Sequence, residues 1–359
     1  MPDNRNQHVP SSLLAILGAL LAIFLLSSCQ QSARSNFEWK LQSQATESSI
    51  DYQELINFSN NVDIMSGGRL SITPYPAGEI AKGGDIYTAV RDRTVEMGNG
   101  WPNWWAAQDP AWAVMNAGPF DFMNLDASMM FFLAGEGTSL ANELSRPNGI
   151  IWRPAWWPGM EFGLLSRKPI TGLADLKEKR IRIGPGLPSE VLAEASGSYA
   201  IPLAPEEIRP ALEKGELDAV EWTTTSGAWN LGLQDISPHA IVPAIWQPSV
   251  VSDFLINEEA YNELPADLQA ILETAIRAYT LTTTMKAKVE DIKALSKFRE
   301  QGTTLHTWSD EDIELWRQAN DRIVMLYKNK DEYTKKLIEA KQSFKKDYVE
   351  YYDVFGPYE

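Results

Sequence analysis

LADLKEKRIRIGPG at residues 173–186, followed by PALEKGELDAVEW at residues 210–222, decides the fold class of this chain. In the first piece apolar and charged residues alternate across 180–184, the period of a strand, and a Gly-Pro-Gly turn ends it. In the second piece the turn Lys214-Gly215-Glu216 precedes a short strand at 219–222. A helix-like segment joins them, so strand, helix and strand follow one another as in an α/β sheet. Strands of such sheets end at the ligand crevice, which directs Arg182, Glu221 and Trp222 toward one place. A guanidinium offers a rigid fork of donors that suits a carboxylate. The segment is therefore a candidate anion-recognition site.

The same alternation runs outward on both sides. A strand is expected at 39–44 and an amphipathic helix at 51–65, with Ser66-Gly67-Gly68 ending the helix. A strand at 69–75, a helix at 85–92 and a strand at 95–98 follow, which predicts a parallel-type sheet. WPNWWAAQDPAW at 101–112 packs four tryptophans and two prolines into a loop-like region. Residues 127–144 read as one helix and 150–157 as a strand. The pattern restarts from Phe162 with a strand at 163–166, giving a second α/β unit over 161–249, and a strand at 250–257 returns to the first. From Pro265 no glycine or proline interrupts a helical stretch until Gly302. At 1.5 Å per residue it spans on the order of 50 Å, either a strut across two domains or two helices with a break. The tail over 309–352 is also helical. Its aromatic stripe of Tyr348, Tyr351, Tyr352 and Phe355 packs either on its own chain or on a partner subunit.

With 359 residues, 44% of them hydrophobic, the chain has material for two domains. A net charge of −16 disfavours nucleic acid and anionic membrane surfaces as partners, since both need a basic footprint. It also sets a condition: an anionic ligand needs local cations to overcome the field of the whole protein. His239 and His306 lie apart in sequence, and no nucleophile, zinc, phosphate-loop or dinucleotide motif is present. Nothing in the residues argues for covalent or acid–base catalysis. Residues 13–26 form an apolar run too short for a comfortable membrane span. It ends in Leu26-Ser27-Ser28-Cys29, which resembles a bacterial lipoprotein box. That resemblance implies a signal peptide over 1–28, a lipidated Cys29, and a polar tether over 29–37 holding the protein at a membrane by its lipid. Cys29 is the only cysteine, so no intrachain disulfide forms.

Four segments carry a wider resemblance: SGGRLSITPYPAGEI (66–80), AVRDRTVEMGNG (89–100), RKPITGLADLKEKRIRIG (167–184) and PALEKGELDAVEW (210–222). In this order and spacing the chain resembles the DctP-type solute-binding proteins of tripartite ATP-independent periplasmic (TRAP) transporters, from Trp39 to about Gly302. One departure is Glu178, where many relatives have glycine before the basic strand. The resemblance implies an α/β, two-lobed periplasmic binding protein fold, with a ligand cleft between the lobes and a long interdomain helix. Lobe I would comprise 38–160 plus 250–359, with the long C-terminal helices, and lobe II 161–249.

In that family an arginine at the position of Arg182 grips a small organic carboxylate. The chain further resembles the subgroup that binds 2-oxo acids or lactate with a cation. Glu161 then contacts substrate and metal, Trp222 does so beside Glu221 through its backbone carbonyl, and Gln247 completes the metal ligands. Na⁺ or Ca²⁺ wants such oxygen donors, and with Arg182 it makes the pocket locally positive. Trp101, Asn103 and Trp104 are expected to face the cleft from lobe I. Delivery to the membrane subunits of a TRAP transporter follows, with no catalytic cofactor, from the periplasm or extracytoplasmic face. A homodimer through the aromatic tail is a further expectation. The rivals are an enzyme acting on small acids through Glu161 and Glu221, and a ligand-sensing lipoprotein uncoupled from transport.

Overall fold

The computed structural model describes residues 36–116 and 118–356. The leader, Cys29 and most of the expected tether lie outside these residues, while Phe37 already opens the first strand. The strands are β1 (Phe37–Ser43), β2 (Leu70–Tyr75), β3 (Met97–Gly100), β4 (Ile150–Pro154), β5 (Leu164–Ser166), β6 (Arg180–Arg182), β7 (Tyr199–Ile201), β8 (Ala219–Glu221), β9 (His239–Val242), β10 (Asp253–Asn257) and β11 (Thr304–Thr307). The helices are α1 (Ile50–Ser66), α2 (Asp85–Arg91), α3 (Ala111–Met115), α4 (Leu125–Leu133), α5 (Gly137–Ser145), α6 (Leu187–Ser196), α7 (Pro205–Lys214), α8 (Thr225–Asn230), α9 (Glu258–Glu263), α10 (Ala266–Glu300), α11 (Asp310–Lys328) and α12 (Glu332–Phe355).

Two sheets organise two lobes, one in the order β2-β1-β3-β10-β4 and the other β11-β9-β5-β8-β6-β7. The sheets are mixed rather than parallel as expected. In the first, β1 and β3 run parallel, but the returning β10 is antiparallel to β3 and β4. In the second, β5 is antiparallel to β8 and β9. Local periodicity reports which residues are extended, whereas strand direction depends on pairings far apart in sequence. The same reason moves one segment: β11, expected with lobe I, pairs in parallel with β9 of the second sheet.

Local signals place the helices. Ser49 caps α1 by accepting from the Tyr52 amide, and Gly67 ends it at φ 63°. The single helix expected over 127–144 is two, α4 and α5, broken at Ala134–Glu136. A side chain on Gly135 would meet the Phe131 carbonyl at 2.9 Å, so glycine allows the chain to fold tightly back there. Residues 266–300 form one unbroken helix of 35 residues. Its first half docks on α1, where Tyr279 donates to the Asp51 carbonyl and Lys286 pairs with Glu54. Its second half docks on α8, with Asp291 accepting from Ser226 and Phe298 packed on Trp229 and Phe162. α10 is thus a strut across both lobes.

The tail helices divide between the lobes. α11 packs on α6, with Arg322 on Glu194, and α12 lies against α3 and α4. Phe344 joins Phe122 and Phe131, and Tyr348 hydrogen-bonds Asp126. The aromatic stripe therefore splits: its start packs on its own chain, while Tyr351, Val354 and Phe355 stand exposed. No helix among the described residues is long and apolar enough to cross a membrane.

Candidate functional site

Strand register gathers the charged residues. Arg182 pairs with Val220, so it ends β6 one residue short of Glu221 on the parallel neighbour β8. Leu164, at the start of antiparallel β5, lies opposite both Glu221 and Ile241 of β9. The residues before β5, after β8 and after β9 therefore leave one edge of the second sheet together. Backbone hydrogen bonds tie them: Phe162 to the Thr223 carbonyl at 2.9 Å, and Ala244 to the Glu161 carbonyl at 3.2 Å. Gly163 makes this corner possible. Its φ is +144°, and a Cβ there would lie 2.0 Å from the Ile241 carbonyl oxygen. Only glycine fits that backbone and that space.

Glu161, Arg182, Glu221 and Gln247 line one small cavity with Trp101, Asn103, Trp104, Gly184, Trp222 and Thr223. Every sequence-expected binding or metal residue thus reaches one place. The cavity is ≈ 20 Å³, room for about one water and too little for an organic acid. Admission of a ligand therefore requires the walls to part.

Arg182 is 2% exposed. Its Nη1 donates to the Glu221 carboxylate and to the Glu221 carbonyl, each at 2.8 Å, and its Nε donates to the Leu203 carbonyl at 3.0 Å. Nη2 takes no partner among the described residues. The Trp222 ring lies 5.0 Å from the guanidinium carbon, within cation–π range. Burial pulls the Arg182 guanidinium below its ordinary value, opposed by the charges of Glu221 and Glu161. Glu161 is as deeply buried, and burial followed by the charge of Glu221 pushes its carboxyl well above the usual carboxylate range. Glu161 Oε2 and Gln247 Oε1 are buried without a hydrogen-bond donor.

The unengaged groups of the cavity are therefore acceptor oxygens, and of the two carboxylates only Glu221 bonds the guanidinium. That surplus of buried, orphaned acceptor oxygen fits a hard cation. No cluster of three or more His, Cys, Asp or Glu exists among the described residues. The cation ligands here would be two carboxylates, an amide and a carbonyl.

The other wall is neutral. Trp101, Asn103 and Trp104 ride on a 3₁₀ turn, Pro102–Trp105, directly after β3. Asn103 lines the cavity, but its polar atoms are engaged: Nδ2 donates to the Pro185 carbonyl of the Gly-Pro-Gly turn at 2.7 Å, and Oδ1 accepts from Asn116 at 3.0 Å. Trp101 packs on Trp156 and lines a second chamber of ≈ 30 Å³ with Gln44, Asp51 and Ser226. Behind the turn, Trp105 and Trp152 both donate their indole N–H to Asp253, at 2.8 and 2.7 Å. Burial nonetheless raises Asp253 to about 7.

Sequence reading missed Gly163, Thr223 and Asp253. Thr223 follows Trp222 at φ 36°, an unusual conformation for a β-branched residue of the kind that collects at binding sites. A glycine beside an acidic residue at a strand start was a usable signal for the first; nothing local marks the other two. His239 and His306, isolated in sequence, meet with ring centroids 5.6 Å apart on the neighbouring strands β9 and β11, and neither lines the cavity.

Comparison with known proteins identifies the family. The family model for bacterial extracellular solute-binding proteins of family 7, DctP, matches residues 41–331. The monocarboxylate 2-oxoacid-binding periplasmic protein of Nostoc sp. strain PCC 7120 is 28% identical over 320 residues, 89% of this chain and 87% of that protein. A TRAP periplasmic solute-binding protein of Pseudoalteromonas atlantica, solved with sodium and pyruvate, superposes with a TM-score of 0.83 at 26% identity, covering 89% of this chain and 96% of that one. Another from Colwellia psychrerythraea, with calcium and pyruvate, gives 0.82 at 25% identity, covering 89% and 97%.

Proposed function

This chain belongs to the DctP family of bacterial extracellular solute-binding proteins, and from that premise we propose that its solute is a small 2-oxo or 2-hydroxy monocarboxylate taken up with a hard cation. The family binds substrates for transport rather than converting them. The observation that carries the reading is the meeting of Arg182 with the orphaned oxygens of Glu161 and Gln247 in one buried cavity. The relatives that bind pyruvate with sodium or calcium, and the 2-oxoacid-binding relative, support it.

In this reading Arg182 grips the carboxylate. One arm of its fork, Nη2, is already unengaged, and Nη1 is held by Glu221. With the ligand carboxylate on Nη1, Glu221, Glu161, Gln247 and the Trp222 carbonyl would hold the cation, which would supply positive charge beside the ligand. One carboxylate replaces another at the guanidinium, so no buried charge is left unpaired. Trp101, Asn103 and Trp104 close the neutral wall over the ligand. Contacts to both walls favour closure by as much as the ligand's differential affinity for the closed form. The lobes that close are 38–160 with 250–359, β11 and α11 excepted, and 161–249, and the closed protein delivers its ligand to TRAP membrane subunits.

Calorimetric titration with pyruvate tests this. Binding is expected to weaken at least about tenfold when sodium and divalent ions are removed. Equal affinity without cations overturns the cation, and wild-type affinity in Arg182→Ala overturns the grip. Two peripheral parts of the reading have their own checks. Lipidation of Cys29 predicts a diacylglyceryl mass on the membrane-fraction protein. Pairing through the exposed Tyr351, Val354 and Phe355 predicts that a dimer becomes a monomer when residues 343–359 are deleted.

A further inference from the structure

A second cavity, of ≈ 230 Å³, lies where α11 and α12 meet the loop 118–121 and the first residue of α6, Leu187. No residue lines both it and the cleft. Its floor is Lys341, a buried ammonium whose three donors are spent on the carbonyls of Val114 and Asn116 and on Asp121. Two further cations face the space without an acid partner among the described residues. Arg317 lies over the Phe120 ring with its guanidinium carbon 4.2 Å from the centroid. Lys345 donates to the Phe120 carbonyl and retains two free donors. Burial lowers Lys345 from its ordinary value; Asp121 opposes that, and Arg317 and Lys341 add to it.

Phe120 itself is held at φ 57°, a strained conformation of the kind found at ligand clamps. Its ring, carbonyl and amide are pinned by Arg317, Lys345 and the Ile245 carbonyl. Asp321 also lines the cavity but pairs with neither cation. With Asp121 neutralised by Lys341, the walls carry one positive charge in excess. Leu187, Val324 and Ile338 supply an apolar side. In a chain of net charge −16, two partnerless cations over a cavity are the reverse of a solvated acidic surface.

We propose that this cavity binds a small monoanion with an apolar part, the simplest being a short-chain carboxylate held between Arg317 and Lys345. Hexanoate is the probe, titrated calorimetrically into the full chain with the cleft saturated by pyruvate, and in parallel into Arg182→Ala. The second arm keeps the test independent of the cleft reading, because it holds even if pyruvate does not bind. Saturable binding is expected in both arms. Hexanamide, which keeps the shape and loses the charge, should bind at least about tenfold more weakly, as should hexanoate to Arg317→Gln. Arg317 is exposed, so that variant should melt as the parent does. Lys345→Gln should weaken hexanoate similarly, and if it melts lower, Arg317→Gln decides alone. No saturable heat up to about 10 mM hexanoate overturns the site. So does equal binding of hexanamide, or undiminished binding to a normally melting Arg317→Gln.

Discussion

Arg182, Glu221, Glu161 and Gln247 reach the cleft from one edge of the second sheet, whereas Trp101, Asn103 and Trp104 reach it from a single 3₁₀ turn beside the first. The charged wall is assembled from two strand ends, at Arg182 and Glu221, and two loops, at Glu161 and Gln247, whose positions are locked by strand register. The neutral wall is one contiguous segment whose amide, Asn103, is already bonded within the protein at both polar atoms. Each wall also hides a carboxylate, and the pair shows the difference. Asp253, behind the neutral wall, receives both indole N–H donors on Oδ2 and keeps Oδ1 without a donor, just as Glu161 on the charged wall keeps Oε2 without one. What separates them is place: Glu161 lines the cavity and Asp253 does not, so the open oxygen of Glu161 is the one that meets a ligand or ion.

Four measurements strain this contrast, starting with the largest effect. Gly163→Ala forces a Cβ onto the Ile241 carbonyl at the corner that gathers the charges. It should cost on the order of 4 kcal/mol in urea unfolding and abolish pyruvate binding. A loss below about 1 kcal/mol would show that the register does not depend on this corner.

Asp253 gives a pH signature of comparable size. Its folded value of about 7 lies above its ordinary unfolded value. The folded state therefore binds more protons between roughly pH 4 and 7, and stability falls as pH rises through that window. The size is on the order of 4 kcal/mol, and Asp253→Asn, which mimics the protonated acid, should flatten that part of the profile. Parallel pH profiles for the variant and the wild type would mean the indole pair holds an ionised carboxylate at no cost.

The two walls then separate in binding itself. Arg182→Ala should weaken pyruvate by about 2–5 kcal/mol, because it removes the grip and strands Glu221. Trp101→Ala should cost only about 1 kcal/mol. Equal losses in calorimetry would erase the distinction between a charged grip and a neutral cover.

The smallest effect lies away from both walls. Glu178 is exposed at φ 60°, so Glu178→Gly should raise stability by about 0.5 kcal/mol, read as a higher melting temperature. An unchanged or lower value would show that the strain is compensated locally.

Much of this was legible before any coordinates. The alternation at 180–184 and the Gly-Pro-Gly turn located Arg182 at a strand end, and the strand at 219–222 located Glu221 beside it. The uninterrupted stretch to Gly302 announced a helix, although not whether it was one or two. Glu161 and Gln247 were legible only through resemblance to relatives, since each lies in a loop far in sequence from Arg182. The break at Ala134–Glu136 was missed because the residues on both sides, including Phe131, Phe132 and Leu140, keep a helix-like apolar pattern. The mixed sheets and the transfer of β11 to the second sheet were missed because period-2 patterning carries no information about direction or partner.

The amino-acid sequence by itself determined the local alphabet: which segments are strands and helices, where glycines turn the chain, and which residue types can meet a carboxylate or a cation. These depend on backbone sterics and side-chain chemistry within a few residues. Only the tertiary structure decided that Leu164 lies opposite Glu221 and Ile241. That register brings two acids, an amide and one guanidinium into a single buried cavity. Charge balance and desolvation exist only among groups brought together across long stretches of chain, and they are what distinguish a site from four scattered polar residues.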